Sequence, residues 1–303
     1  MRPLGRIVLG LAVAGAVGAA AVVAALTWVP LRRGAPVAAA EPGNPQRGAY
    51  LARTAGCIAC HTDLAGGGKP LAGGPPLDTA FGTFRGPNLT TDADAGIGDW
   101  SLDDFATAVR RGVSPSGAPL YPVFPYTFYA GLTDQDVADL YAAFRTVAPV
   151  ATSAPAHDIP FPFSWRPALK LWRLLNMPDP QVTGGGDGTG SDRGRYLVEN
   201  VVHCGACHTP RGPLGGRIEA RRLEGGDDLP GGGSAPPITA AALAADGWTE
   251  PALAASLQTG IGIDGDAFGG AMGEFVSDTT RFLTEDDRLA IAAYLLGDAA
   301  AAR

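Results

Sequence analysis

Cys57-Ile58-Ala59-Cys60-His61 returns as Cys204-Gly205-Ala206-Cys207-His208, and the two copies use all four cysteines of the 303-residue chain. No other feature limits the fold as strongly. On a helical turn, positions i, i+3 and i+4 share one face, so the two thiols and the imidazole of each copy converge on a single object. Two thiols three residues apart can each add to one vinyl group of a porphyrin, and the next residue then reaches the iron as an axial nitrogen ligand. Each copy therefore reads as the attachment site of one covalently bound haem c. Cys57, Cys60, Cys204 and Cys207 are the anchors, and His61 and His208 the proximal iron ligands.

Other cysteine chemistries fit less well. A structural zinc site would have to combine the two pairs across a long stretch of sequence, and zinc gives no reason for a histidine directly after each pair. A thioredoxin-type dithiol needs a preceding strand and usually occurs once. The length allows two ordinary domains and an N-terminal extension. The 43 glycines and 26 prolines predict short helices strung between long loops rather than a large sheet. A net charge of −7 argues against a nucleic-acid partner and suggests partners met by charge complementarity.

The chain opens with Arg2 and Arg6, runs uncharged from Ile7 to Val29, and then carries Arg32 and Arg33. As a helix those 23 residues would span about 35 Å, enough to cross the hydrocarbon of a bilayer. A cleaved signal peptide is the competing reading, since Ala38-Ala39-Ala40 offers a small-residue cleavage site before Glu41. The run is long for a signal core and the alanines lie well beyond its end, which favours an uncleaved anchor in segment 1–40. Haem is attached on the outer side of the bacterial cytoplasmic membrane, so the haem-bearing part is expected on the periplasmic side.

Arg47-Gly48-Ala49-Tyr50-Leu51 leads through a short helix to the first motif, and Arg193-Gly194-Arg195-Tyr196-Leu197 leads to the second with one extra residue. Glycine at such a place lets another helix cross closely. The expected crossing helices start at Leu132-Thr133-Asp134-Gln135-Asp136 and Leu283-Thr284-Glu285-Asp286-Asp287, each threonine being a cap with an acidic residue three positions on. Between these elements Trp100, Phe105, Val109, Gly112 and Gly117 match Trp248, Leu253, Leu257, Gly260 and Gly265 at a constant offset of 148. Pro87-Asn88-Leu89-Thr90 resembles Pro236-Pro237-Ile238-Thr239 at an offset of 149. Buried helix faces alone explain the apolar matches but not the paired tryptophans and glycines.

The order of helix, haem motif, Gly/Pro loop, middle helix, ligand loop and terminal helix resembles class I cytochrome c, and residues 45–149 and 191–299 each fit one such domain, with 150–190 as linker. The fold class expected is mainly α, two tandem domains of this kind after a transmembrane helix. Phe81-Gly82-Thr83-Phe84, Pro87-Asn88-Leu89-Thr90, Gly96-Ile97-Gly98-Asp99-Trp100 and Leu120-Tyr121-Pro122-Val123-Phe124-Pro125-Tyr126 carry a closer resemblance. It is to the membrane-anchored cytochrome c subunits of periplasmic quinoprotein alcohol dehydrogenases and some molybdenum hydroxylases. The alcohol dehydrogenase subunits usually carry three haems, and this chain has two motifs. The resemblance implies an electron-transfer subunit rather than an enzyme. It would take electrons from a periplasmic dehydrogenase catalytic subunit and pass them to the respiratory chain, through an acceptor on the quinone or terminal oxidase side. The competing class is a haem enzyme, peroxidase-like or thiosulfate-oxidising, that uses an open first haem.

Class I domains usually place a methionine sulfur on the far side of the iron, which favours the ferrous state and raises the potential. Met272, 64 residues after His208 and flanked by glycines, fits that role, against the plain alternative of a core gap-filler. The same offset of 148 puts Phe124 at the matching place in the first domain, and Phe cannot ligate iron. Met1 is in the anchor region and His203 adjoins the second motif, so His157 and Met177, both in the linker, are the remaining donors; otherwise Phe124 packs on the porphyrin of a haem with an open sixth position. In the linker, Pro160-Phe161-Pro162-Phe163 reads as extended, and Trp165, Leu169 and Trp172 share one face of a following helix beside Arg166, Lys170 and Arg173. Packing between the domains is the plain reading of that face, with contact to a membrane surface or partner dehydrogenase as the alternative. Thr183 to Gly190 reads as a flexible connector.

Overall fold

The computed structural model describes residues 2–31, 33–177, 188–227, 229 and 232–297. Arg32 and residues 183–187 of the expected connector lie outside them. The helices, in order, are α1 (Arg2–Trp28), α2 (Pro45–Thr54) and α3 (Cys57–His61), then a two-stranded antiparallel hairpin of β1 (Pro76–Thr79) and β2 (Gly82–Arg85). There follow α4 (Leu102–Arg111), α5 (Tyr126–Tyr129), α6 (Asp134–Phe144), α7 (Leu169–Asn176) and α8 (Gly190–Tyr196). The second half ends with α9 (Ala240–Ala245), α10 (Glu250–Thr259), α11 (Gly270–Asp278) and α12 (Glu285–Leu296). The expected short helices and long loops are thus present.

The repeat read from sequence is a structural repeat. Ser101 caps α4 in a capping box and Thr249 caps α10, and each helix is closed by a left-handed glycine, Gly112 at φ 56° and Gly260 at φ 72°. The loops that follow share their register as well. Leu120 N–H donates to the Gly112 carbonyl at 2.8 Å, and Phe268 N–H to the Gly260 carbonyl at 2.7 Å.

The glycines chosen for helix crossing serve that purpose. A Cβ at Gly48 would lie 1.8 Å from the Asp139 carbonyl oxygen on α6, and one at Gly194 would lie 1.8 Å from the Ala290 carbonyl oxygen on α12. Thr133 and Thr284 cap α6 and α12 as expected, accepting from the backbone N–H groups of Asp136 at 3.0 Å and Asp287 at 3.2 Å.

The acidic residues three positions on have a role that the sequence does not show, because each reaches into the other half of the chain. Tyr50 on α2 donates its hydroxyl hydrogen to Asp287 Oδ2 at 2.6 Å and accepts from the Thr284 N–H at 3.3 Å. Tyr196 on α8 does the same in reverse, donating to Asp136 and accepting from the Thr133 N–H at 3.1 Å. The two halves are therefore joined by a reciprocal pair of tyrosine caps. Asp287 also receives Arg193 in a two-pronged contact at 2.8 and 2.9 Å. Burial pushes the Asp287 carboxyl up, but the hydrogen bonds from Arg193 and Tyr50 outweigh it and hold the group below the usual carboxylate range.

In the linker the structure departs from expectation. Pro160–Phe163 is a turn rather than an extended segment, closed by Ser164 N–H to the Pro160 carbonyl at 3.1 Å and Trp165 N–H to the Pro162 carbonyl at 3.1 Å. The packing face of α7 holds only in part. Trp172 Nε1 donates to the Leu214 carbonyl in the second half at 2.9 Å, and Arg173 is buried with its guanidinium 5.1 Å from the Tyr126 ring in the first. Trp165 stays exposed.

Removing either tyrosine hydroxyl takes a hydrogen bond from a carboxylate, an interaction of about 1.5–3 kcal/mol. Tyr50→Phe and Tyr196→Phe should each lower the unfolding free energy of the haem-loaded protein by that order in thermal or denaturant melts. The folded-state pKa of Asp287 is depressed, so its contribution is present above the unfolded carboxylate value of about 3.9 and lost as pH falls through the lower folded value. The stability deficit of Tyr50→Phe relative to wild type should accordingly shrink in acid, and a deficit independent of pH would count against this assignment.

Candidate haem sites

In both halves the motif is placed by a left-handed residue that turns the chain out of the preceding helix. In the first half this is Gly56 at φ 75°, after which α3 carries Cys57, Cys60 and His61 on one turn. In the second, α8 continues into a single π-helical turn, Leu197–Val201, closed by Val202 N–H to the Leu197 carbonyl at 2.7 Å. That wider turn absorbs the extra residue seen in the sequence. His203, at φ 50°, then occupies the place of Gly56, and Cys204–Ala206 forms a 3₁₀ rather than an α turn. The contact of His208 N–H to the Cys204 carbonyl at 3.0 Å keeps the two thiols and the imidazole on one side.

Each histidine is held by a proline carbonyl. His61 Nδ1 donates to the Pro87 carbonyl oxygen at 2.8 Å, and His208 Nδ1 to that of Pro236 at 2.7 Å. A carbonyl only accepts, so Nδ1 carries the hydrogen and Nε2 keeps its lone pair for a metal. Burial lowers the pKa of both rings, which favours the neutral form that ligates.

A second brace follows each histidine. Thr62 Oγ1 accepts from the Leu71 N–H at 3.0 Å and Thr209 Oγ1 from the Leu223 N–H at 3.2 Å. Both leucines sit in the left-handed region, at φ 58° and 64°, and their carbonyls accept from Leu89 N–H at 2.8 Å and Ile238 N–H at 2.9 Å. The threonine hydroxyls thus hold a strained leucine that ties the motif to the proline segment. The Pro87 and Pro236 segments were legible as a repeat in the sequence; the roles of Thr62, Thr209, Leu71 and Leu223 were not.

The four cysteines form no disulfide. Burial pushes Cys57 and Cys204 up to about 12, so both are protonated at neutral pH. Among the described residues no three His, Cys, Asp or Glu side chains gather as a metal cluster. The two CxxC pairs do not combine into one site. The residues do fit haem c, with two neutral thiols and one imidazole Nε2 at each motif. Beside the second motif Arg211 donates to the Ala206 carbonyl at 2.7 Å, and across the bridge from it Arg217 Nη1 is buried without an acceptor. A haem carboxylate suits that orphaned donor.

Met272 stands in the first turn of α11 and Phe124 just before α5, each four residues past the matched loop contacts at Phe268 and Leu120. Both are partly buried against the core. Phe124 packs on the rings of Tyr126 and Tyr129 at 6.2 and 5.7 Å. His157 belongs to the hairpin wall of the first half, where Nδ1 accepts from the Arg85 N–H at 3.2 Å and the ring meets Phe84 and Tyr121 at 5.4 Å each. Met177 ends α7, directly after Asn176, whose side chain packs against Gly216 in the second half.

His203, set aside in the sequence as a neighbour of the second motif, has a contact that the sequence does not show. Its Nε2 lies 3.7 Å from the position of a Cβ on Gly56, and the ring hydrogen-bonds the Ala55 carbonyl, which Tyr129 also reaches with its hydroxyl at 2.5 Å. Phe128, Tyr129 and Phe275 surround the ring, and burial lowers its pKa to about 4, so it is neutral. The chain segments that lead into the two motifs therefore touch through this side chain. The available signal was the extra residue between Leu197 and Cys204.

The sequence pattern of the cytochrome c family matches residues 45–146 and 191–297. The chain is 42% identical over 256 residues to a dihaem cytochrome c-type protein of Cereibacter sphaeroides, covering 84% of this chain and 85% of that one. It is 43% identical over 261 residues to the cytochrome c subunit of a gluconate 2-dehydrogenase of Pantoea cypripedii, covering 82% of this chain and 58% of that one. It is also 39% identical over 270 residues to the cytochrome c subunit of a quinone alcohol dehydrogenase of Gluconobacter oxydans, covering 82% of this chain and 54% of that one. The chain thus spans most of the first relative and little more than half of the other two. With two copies of one helical unit, each presenting a CxxCH turn whose histidine is set by a proline carbonyl, this chain belongs to the cytochrome c family.

Proposed function

We propose that the chain is a dihaem c-type cytochrome, tethered to the bacterial cytoplasmic membrane by α1, with its haem domains on the periplasmic side. It takes electrons from the catalytic subunit of a periplasmic dehydrogenase and passes them toward the respiratory chain, to an acceptor on the quinone or terminal oxidase side. The observation that carries this reading is the paired CxxCH turn with its histidine fixed for ligation. Relatives named as cytochrome subunits of dehydrogenases support the electron-transfer role, and nothing in their names supports the peroxidase-like or thiosulfate-oxidising alternative.

In this reading domain 1 occupies 45–149, the linker 150–190 and domain 2 191–299. Bound haem supplies one-electron chemistry at its iron. Cys57 and Cys60 hold one haem and Cys204 and Cys207 the other, with His61 and His208 as proximal ligands and Met272 as the distal ligand in domain 2. Phe124 offers no donor in domain 1. His157, whose Nδ1 is already used by Arg85, and Met177, at the end of α7, are the candidates against an open sixth position.

The denatured, exported protein should retain two haems by intact mass, and Cys204→Ala with Cys207→Ala should leave one; fewer than two in wild type would contradict the assignment. Domain 1 should also lack a methionine sulfur ligand from its own loop, so haem 1 should titrate at a lower potential than haem 2. Phe124→Met should raise that lower potential and abolish carbon monoxide binding in domain 1. Two indistinguishable methionine-ligated haems in wild type, unaffected by Met177→Ala, would overturn this account of domain 1.

A further inference from the structure

α7 is docked on one side only. Trp172, Arg173 and Asn176 face the protein, whereas Leu171, Leu174 and Leu175 are 53%, 80% and 70% exposed. At 100° per residue those three leucines share one face, and Phe161, on the turn that precedes the helix, is 82% exposed. A soluble domain does not usually leave so much clustered apolar surface uncovered.

The position of α7 shows what covers this face. Lys170 Nζ donates to the carbonyl oxygen of Val29 at 2.6 Å, just past the last turn of α1. The charge-free stretch Gly10–Trp28 of α1 is 19 residues long and has no residue buried in the protein. At 1.5 Å per residue it spans about 28 Å, close to the thickness of a bilayer's hydrocarbon. Its end is fixed to domain 1. Pro30 reaches Gly117, Gly34 packs on the Arg111 side chain, and Arg33 pairs with Asp104. α7 is therefore held at the depth where α1 leaves the hydrocarbon. Trp28, 81% exposed, ends α1, and Trp165 is exposed just before α7; indole rings favour the boundary between lipid and water.

Charge agrees with this position. Residues 159–177 include Arg166, Lys170 and Arg173 and no acidic residue, in a chain whose net charge is −7.

We propose that α7 is an interfacial helix, its three leucines inserted into the outer leaflet of the membrane, with Arg166 and Lys170 near the lipid phosphates. With α1 it makes a second point of attachment, which fixes the orientation of the haem domains relative to the membrane rather than only their distance from it. This rests on the reading of α1 as an uncleaved anchor.

The test uses full-length holoprotein in vesicles of phosphatidylethanolamine and phosphatidylglycerol, with a nitroxide at Leu174→Cys and, as reference, at exposed Ala255→Cys on α10. Collision with oxygen against a water-soluble nickel complex reports depth. The label at 174 should sit about 5–10 Å below the phosphates, and the label at 255 in water. Intact mass of the same sample distinguishes the two readings. If the N-terminus is intact and position 174 is open to nickel, α7 is not interfacial although the anchor stands. If the mature chain begins at Glu41, the anchor reading fails, and protection of position 174 on added vesicles, lost in the Leu171→Ser, Leu175→Ser background, would still uphold the helix. Protection that requires the dehydrogenase catalytic subunit would assign the face to that partner and overturn the proposal.

Discussion

The two halves are locked by a reciprocal contact in which a tyrosine of each caps the terminal helix of the other. Tyr50 engages Thr284 and Asp287, and Tyr196 engages Thr133 and Asp136. Two hydrogen bonds to carboxylates amount to about 3–6 kcal/mol, a large share of the roughly 5–15 kcal/mol by which a typical protein is stable. The contact depends on the glycine crossings below it, because Tyr50 and Tyr196 follow Gly48 and Gly194 by two residues. Without the close approach at those glycines, neither hydroxyl would reach the neighbouring helix start.

The same arrangement brings the segments leading into the two haem motifs together. One inserted residue, taken up by the π turn at Leu197–Val201, moves His203 to the position where the first half has Gly56, and the imidazole fills the space beside that glycine. The halves are thus not copies joined by a loose tether. Their difference at this point is what makes them fit, and it links the Ala55 carbonyl of one motif to the backbone directly before Cys204 of the other.

Much of this could be read from the residues. The CxxCH pairs, the crossing glycines, the threonine caps and the repeat at offset 148 are local signals with fixed geometry, and the structure places them as expected. What could not be read is long-range. Asp136 and Asp287 looked like capping-box acids, but their partners lie in the other half, and nothing local separates the two uses. His203 looked like a neighbour of a motif because its partner, Ala55, is remote in sequence. Pro160–Phe163 suggested an extended segment, since the pattern of prolines says nothing about where Ser164 will find an acceptor. The Phe124 substitution was visible by alignment to Met272, and the structure keeps the two in register.

If the two haem domains form one electron relay with a fixed mutual arrangement, an electron that enters at one haem must reach the other within the same molecule. The most direct measurement is flash or pulse reduction of the holoprotein with one electron per molecule, followed at wavelengths that separate the two haems. A fixed relay predicts that the electron passes between the haems with a first-order rate that does not change with protein concentration. A rate proportional to concentration, showing exchange only between molecules, would contradict it.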